Sequence, residues 1–185
     1  MKKLATLVSA LLLSFAAQAL EVAGVKLPGK IQLEQQSLTL NGAGIRKMLF
    51  MDLYVGSLYA QSKATQAADV LESKDPVAIR LNIISGMITS DRMASTVKEG
   101  FDKATGGNMQ PLQKRLDSFI DVFSEEIVKG DQFTLLAVPG KGLNVYKNGT
   151  FLTHIKGDDF SKTLLKVWLG DKPADKRLKK AMLGS

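Results

Sequence analysis

Apolar positions along the chain change period three times, and each change predicts a change of structure. Val22 to Leu27 and Ile31 to Gln35 alternate over short distances around Pro28-Gly29, which predicts two strands and a turn. Leu38 to Ala60 is rich in β-branched, aromatic and glycine residues. Within it, Met48 to Val55 is apolar on both parities, the pattern of a strand buried on both faces. Thr65 to Ser73 suits a short helix, and Pro76 to Ser85 a further strand.

From Ser90 to Lys103 the period is helical: Met93, Val97 and Phe101 recur every four residues on one face. A second helix is expected to open at Pro111. Its stripe runs Leu112, Leu116, Phe119, Ile120, Phe123 and Ile127 before a stop at Lys129-Gly130. Both stripes read as core. Alternation then returns in QFTLLAVP, GLNVYKN and TFLTHIK, where Asn148-Gly149 is a strong hairpin signal. Two helices close the chain, one capped by Asp158 or Asp159 and carrying Phe160, Leu164, Leu165, Val167 and Trp168, the other opened by Pro173. Runs of strands and runs of helices, without strict alternation, give an α+β class with a largely antiparallel sheet. No repeat, low-complexity tract or linker divides residues 20–185, so one domain is expected there.

Residues 1–19 have a different character. Lys2 and Lys3 precede an apolar segment from Leu4 to Phe15 and a small-x-small site at Ala17-Gln18-Ala19, the pattern of a cleavable signal peptide. The apolar segment is shorter than the ~20 residues of a membrane span. Export to a bacterial periplasm is the expectation. The sequence has no cysteine, which removes disulfides, thiol nucleophiles and thiolate metal sites from consideration.

The formal net charge is +7, and Lys172, Lys176, Arg177, Lys179 and Lys180 concentrate the excess near the end. With one tryptophan, three tyrosines and no interleaved aromatic-basic motif, nucleic acid is not an expected partner. The basic C-terminal helix is either a solvated face or a peripheral contact with an anionic membrane surface.

Catalytic and cofactor signatures are sparse. His154 is the single histidine, lies in an alternating strand without a nucleophile elbow, and reads as structural. Asn41-Gly-Ala-Gly44 lacks the third glycine and following helix of a dinucleotide site. Neither a metal nor a cofactor is expected. What stands out is Arg46, a guanidinium on the approach to the apolar run. Buried there, it needs an anionic partner, either a carboxylate of the protein such as Asp52 or an anion that the protein binds. Arg46 and Tyr54 share parity in a continuous strand, and a tight hairpin would set them on neighbouring strands; both arrangements let them converge on one oxygen pair.

The stretch LNGAGIRKMLFMDLYVGSLYA, followed by FSKTLLKVWLGDKPADKRLKKAMLG, resembles the bacterial chalcone isomerase-like family of exported proteins. The first is similar to the G-G-A-G-V-R hairpin of plant chalcone isomerases and their fatty-acid-binding relatives, the second to the closing helices of that fold. The resemblance implies an open-faced β-sandwich: a large antiparallel sheet under a layer of helices, with a cleft between. It implies that Arg46 holds the position of the arginine that polarises substrate in the isomerases and grips a carboxylate in the binders. The isomerase hairpin threonine aligns with Tyr54. Met93 takes the place of the catalytic tyrosine and Thr96 that of the lysine following it.

A thioether donates no hydrogen bond, and losing one such donor typically costs ~10²-fold in rate. The reading is therefore a non-catalytic periplasmic binder of an amphipathic anion, such as a fatty acid or an aromatic carboxylate. Arg46 is its anchor, Tyr54 or Tyr59 assists, and Met93 lines the cleft. A ligand-free accessory protein and a residual isomerase are the alternatives.

Overall fold

The computed structural model describes residues 19–184, so residues 1–18, which hold nearly all of the expected signal peptide, lie outside the described residues. A small hairpin, β1 (Leu20–Val22) and β2 (Val25–Leu27), precedes a seven-stranded antiparallel sheet. The sheet is a simple meander of β3 (Lys30–Leu33), β4 (Gln36–Met48), β5 (Met51–Ala60), β6 (Val77–Ile83), β7 (Gln132–Val138), β8 (Gly142–Lys147) and β9 (Thr150–Lys156), each strand beside its sequence neighbours. The β8–β9 turn is Asn148-Gly149, with φ of 52° and 82°, the left-handed pair that such a hairpin requires.

The sheet curls into a half-barrel. Glu34, in the β3–β4 turn, accepts hydrogen bonds from Asn144 Nδ2 at 2.6 Å and Tyr146 Oη at 2.7 Å, four strands away on β8. Ile31, Leu38, Tyr59, Ala78, Leu136 and Val138 pack together on that face.

The other face carries the helices. α1 (Ala67–Leu71) follows β5, while α2 (Ser90–Thr105) and α3 (Gln113–Ile120) fill the β6–β7 connection. α4 (Asp158–Leu169) and α5 (Lys176–Met182) follow β9. α2 buries Met93, Val97 and Phe101, the stripe read from the sequence, and ends at Gly106 in the left-handed conformation. Phe101 and Phe160 lie 5.1 Å apart between α2 and α4, and Phe123 meets Phe133 of the sheet at 5.2 Å. The large core cluster on this side is what holds the helical layer to the sheet.

Four expectations change. Met48 to Val55 is not one doubly buried strand: the chain turns at Leu49-Phe50, and burial on both faces begins at Tyr54. The turn lacks glycine, asparagine and proline, so nothing in it announced a reversal. The second helix stops at Ile120, continues as a 3₁₀ turn (Asp121–Phe123), and reaches Ile127 without helix. The N-cap of α4 is Gly157, with Asp158 and Asp159 in its first turn. Asp175, not Pro173, starts α5, its carboxylate accepting from Arg177 N at 2.8 Å and Leu178 N at 3.2 Å.

Candidate binding site

The site is built on the β4–β5 hairpin, where Arg46 and Tyr54 are direct cross-strand partners. They lie on the helix-bearing face, in line with Gly42, Gly44 and Gly56, which pair with Leu58 and with each other. α5 rests on this glycine track. A Cβ on Gly44 would sit 2.6 Å from Ala181 Cβ, and one on Gly56 2.7 Å from Met182 Cε. So close a helix brings its first turn over Arg46.

There Asp175 receives Arg46 Nη1 at 3.5 Å and the Lys47 backbone N–H at 3.4 Å. Arg46 Nη1 also donates to the Lys47 carbonyl, so both of the guanidinium's contacts among the described residues fall on that one nitrogen. Asp52 does not serve Arg46; it pairs with Lys47, because successive strand residues point to opposite faces.

Tyr54 is buried, and its hydroxyl oxygen accepts from Trp168 Nε1 of α4 at 2.9 Å. Burial raises its pKa; the Trp168 hydrogen bond and Arg46 pull the other way, and Asp175 adds to the rise. The phenol therefore stays protonated at neutral pH, and a hydroxyl that accepts from Trp168 still has its own proton to donate. A register shift between Arg46 and Lys47 leaves Leu53 as an extra residue on β5, so that Leu53 and Tyr54 both line the same cleft.

The cleft has a volume of about 460 Å³ between the hairpin and α2. Arg46 and Tyr54 line its sheet side, and Met48, Leu53, Met87, Ile88 and Met93 supply most of the apolar wall. Met93, 5% exposed, points from α2 toward the sheet. Asp91, Arg92, Ser95, Thr96 and Glu99 add a polar side from the same helix. A depression beside α1 and α4, lined by Val70, Leu71 and Leu165, offers only about 50 Å³ and is too small for a ligand of that kind.

Arg46, Tyr54 and Met93 are thus brought together, and Tyr59 is not. Five positions from Tyr54 in one strand, it faces the other side of the sheet, among Leu38, Ala78 and Leu136, with Arg80 stacked 5.5 Å above its ring. Two residues that shape the site were assigned no role from the sequence, Trp168 and Asp175. Both sit in the VWLGDKPADKR stretch, where an aspartate before a helical run is the visible signal of an N-cap. His154 is exposed on β9, its Nδ1 2.6 Å from Asn144 Oδ1. Asp159 pairs with Arg115 and Asp158 accepts from the Gly140 N–H, so both acids are spoken for. Among the described residues no group of His, Asp or Glu is arranged to hold a metal ion.

A sequence profile of the chalcone isomerase-like family matches residues 19–184. The chain belongs to the chalcone isomerase-like family. Its fold is the family's as well: the crystal structure of a fatty-acid binding protein from Arabidopsis thaliana superposes with a TM-score of 0.71 at 22% identity, over 90% of this chain and 96% of that one. A comparison with curated proteins found no match. The family match takes in every element that builds the cleft, from the β4–β5 hairpin through α2 to α5. In this chalcone isomerase-like chain the α2 face that meets the hairpin presents Met93 and Thr96, a thioether and an exposed hydroxyl.

Proposed function

We propose that this protein binds an amphipathic carboxylate, a fatty acid or an aromatic acid, without transforming it. The observation that carries the reading is the cross-strand pair of Arg46 and Tyr54 on the sheet side of an apolar cleft. A carboxylate there would accept from Arg46 Nη2 at one oxygen and from the Tyr54 hydroxyl at the other, and its tail would run along the methionine-rich wall. Methionines suit tails of different shapes, because the thioether side chain repacks at little cost.

The expectation that the ligand is not transformed rests on α2. A developing enolate or phenolate in the cleft would meet Met93, which offers no proton and orders no water. The fatty-acid binding protein of the same fold is consistent with a ligand of this class.

A second reading has an observation of its own. Arg46 already has an anion in Asp175, so a ligand-free accessory protein would also keep the arginine satisfied. In either case we propose an exported protein, on the signal pattern of residues 1–19. Native mass spectrometry of protein isolated from its source cells tests both proposals at once. The expected spectrum shows a chain starting near Leu20 carrying the mass of one lipid or aromatic acid. An apo mass would move the weight to the accessory reading, and a chain retaining Met1 would end the export proposal.

A further inference from the structure

The tip of the β4–β5 hairpin is unusually apolar for a turn in water. Phe50 is 99% exposed, Leu49 82% and Met48 40%. Leu49 adopts φ +55°, a conformation in which Asn, Asp or Gly is the ordinary choice and a branched apolar side chain is a strained one. The turn thus gives up both solubility and backbone comfort to display two large side chains.

We propose that this tip is a docking surface for an anionic lipid bilayer, with Leu49 and Phe50 entering the boundary between headgroups and acyl chains. Its size argues against a second protein: Leu49, Phe50 and part of Met48 present on the order of 400 Å², whereas a stable protein interface needs roughly 800 Å² per partner. Lys47 beside it is paired with Asp52, and among the described residues the unpaired charge nearby comes from the start of α5. Asp175 accepts from the Lys47 N–H, which sets the start of α5 beside this end of the hairpin, and the next two residues, Lys176 and Arg177, are exposed there. Without Lys2 and Lys3 of the expected signal peptide the formal net charge falls from +7 to +5, still the sign that an anionic membrane attracts.

The tip also continues into the cleft, since Met48 lines the cavity that holds Arg46 and Tyr54. A carboxylate lipid leaving the bilayer at Phe50 would meet Met48 next and the guanidinium beyond it. That transfer route rests on the binding function proposed above; the docking does not.

Cosedimentation with vesicles of equal parts phosphatidylcholine and phosphatidylglycerol tests the proposal, with pure phosphatidylcholine vesicles as the comparison. Wild-type protein should sediment with the anionic vesicles. The double variant Leu49→Asn/Phe50→Ser should lose about 10²- to 10⁴-fold in partitioning, the scale of removing two buried apolar side chains. Its melting temperature should hold or rise, because asparagine accepts the left-handed turn. Lys176→Glu/Arg177→Glu should weaken binding to the anionic vesicles at low salt. The tip variant should still bind dodecanoate in solution like wild type, which separates failure of docking from failure of the cleft. Wild-type protein that stays in the supernatant, or a tip variant that sediments equally, overturns the proposal. So does a wild-type dimer in sedimentation velocity that Leu49→Asn/Phe50→Ser dissociates, which would assign the tip to a second copy of the chain.

Discussion

At Arg46 the question is which anion the guanidinium serves. Asp175 is 3.5 Å away, with side-chain exposures of 21% for Arg46 and 7% for Asp175. Burial by itself would raise the Asp175 pKa, yet the backbone N–H groups of Leu178, Arg177 and Lys47 hold it below the usual carboxylate range, with Arg46 contributing after them. The aspartate is thus stabilised mainly by the start of its own helix, and the arginine is not bound to it by necessity. Tyr54 is more firmly committed, because Trp168 Nε1 has it as acceptor inside the core. Tyr54→Phe should therefore cost about 1 to 3 kcal/mol of folding stability, the penalty of an unsatisfied buried N–H. It should also weaken carboxylate binding by roughly 3- to 10-fold, one neutral hydrogen bond's worth. Chemical denaturation and dodecanoate titration of that variant read the two effects separately; unchanged stability would refute the role given to the Trp168 contact.

Among the elements, α5 decides the geometry of the site. It reaches Arg46 because Gly42, Gly44 and Gly56 clear a track for it, a function different from close approach to a ligand. Asp175→Asn separates the two jobs of its N-cap. Asparagine caps a helix about as well as aspartate, so stability should change by less than about 1 kcal/mol. The competing charge next to Arg46 disappears, and carboxylate affinity should rise several-fold, a few tenths to 1 kcal/mol by the usual worth of a partly exposed pair. Affinity that falls on this substitution would mean that Asp175 positions the arginine for its ligand.

The elements were legible in the sequence to different degrees. Helical stripes gave α2 and α4, alternation gave β6 to β9, and the hairpin motif carried the family. The reversal at Leu49-Phe50 was implied only by the resemblance to a hairpin motif, because its own turn residues are apolar. Tyr59 was offered beside Tyr54 although an odd spacing in one strand puts the two on opposite faces, and Asp175 was missed because it lies 129 positions from Arg46 in sequence.

For the whole molecule, a curled sheet and a helical layer leave one arginine-bearing cleft among the described residues' larger cavities. Two carboxylates, Asp131 buried and Asp175 partly buried, tie that architecture to pH. Asp175 is held low as described, and Asp131 is held low, against the effect of burial, by Asn148, the Val128 N–H and Lys147. A carboxylate with a depressed folded pKa contributes stability that is complete above its unfolded value, ~3.9, and lost as pH falls through the lower folded value. The melting temperature should be nearly flat from about pH 7 to 5 and should fall below about pH 4. A steep loss already above pH 5 would point to a titrating group other than these acids.

The most direct test of the central claim is a paired measurement on Arg46→Ala and Arg46→Lys: dodecanoate affinity by calorimetry, and melting temperature without ligand. Loss of one charge-assisted contact should weaken binding by about 10- to 100-fold in Arg46→Ala, with partial recovery in Arg46→Lys, whose ammonium lacks the planar fork. Stability should change by only about 1 kcal/mol, since Asp175 keeps its three backbone donors. A loss of about 3 to 5 kcal/mol in stability, with dodecanoate affinity unchanged, would show that Arg46 serves Asp175 and would contradict the account.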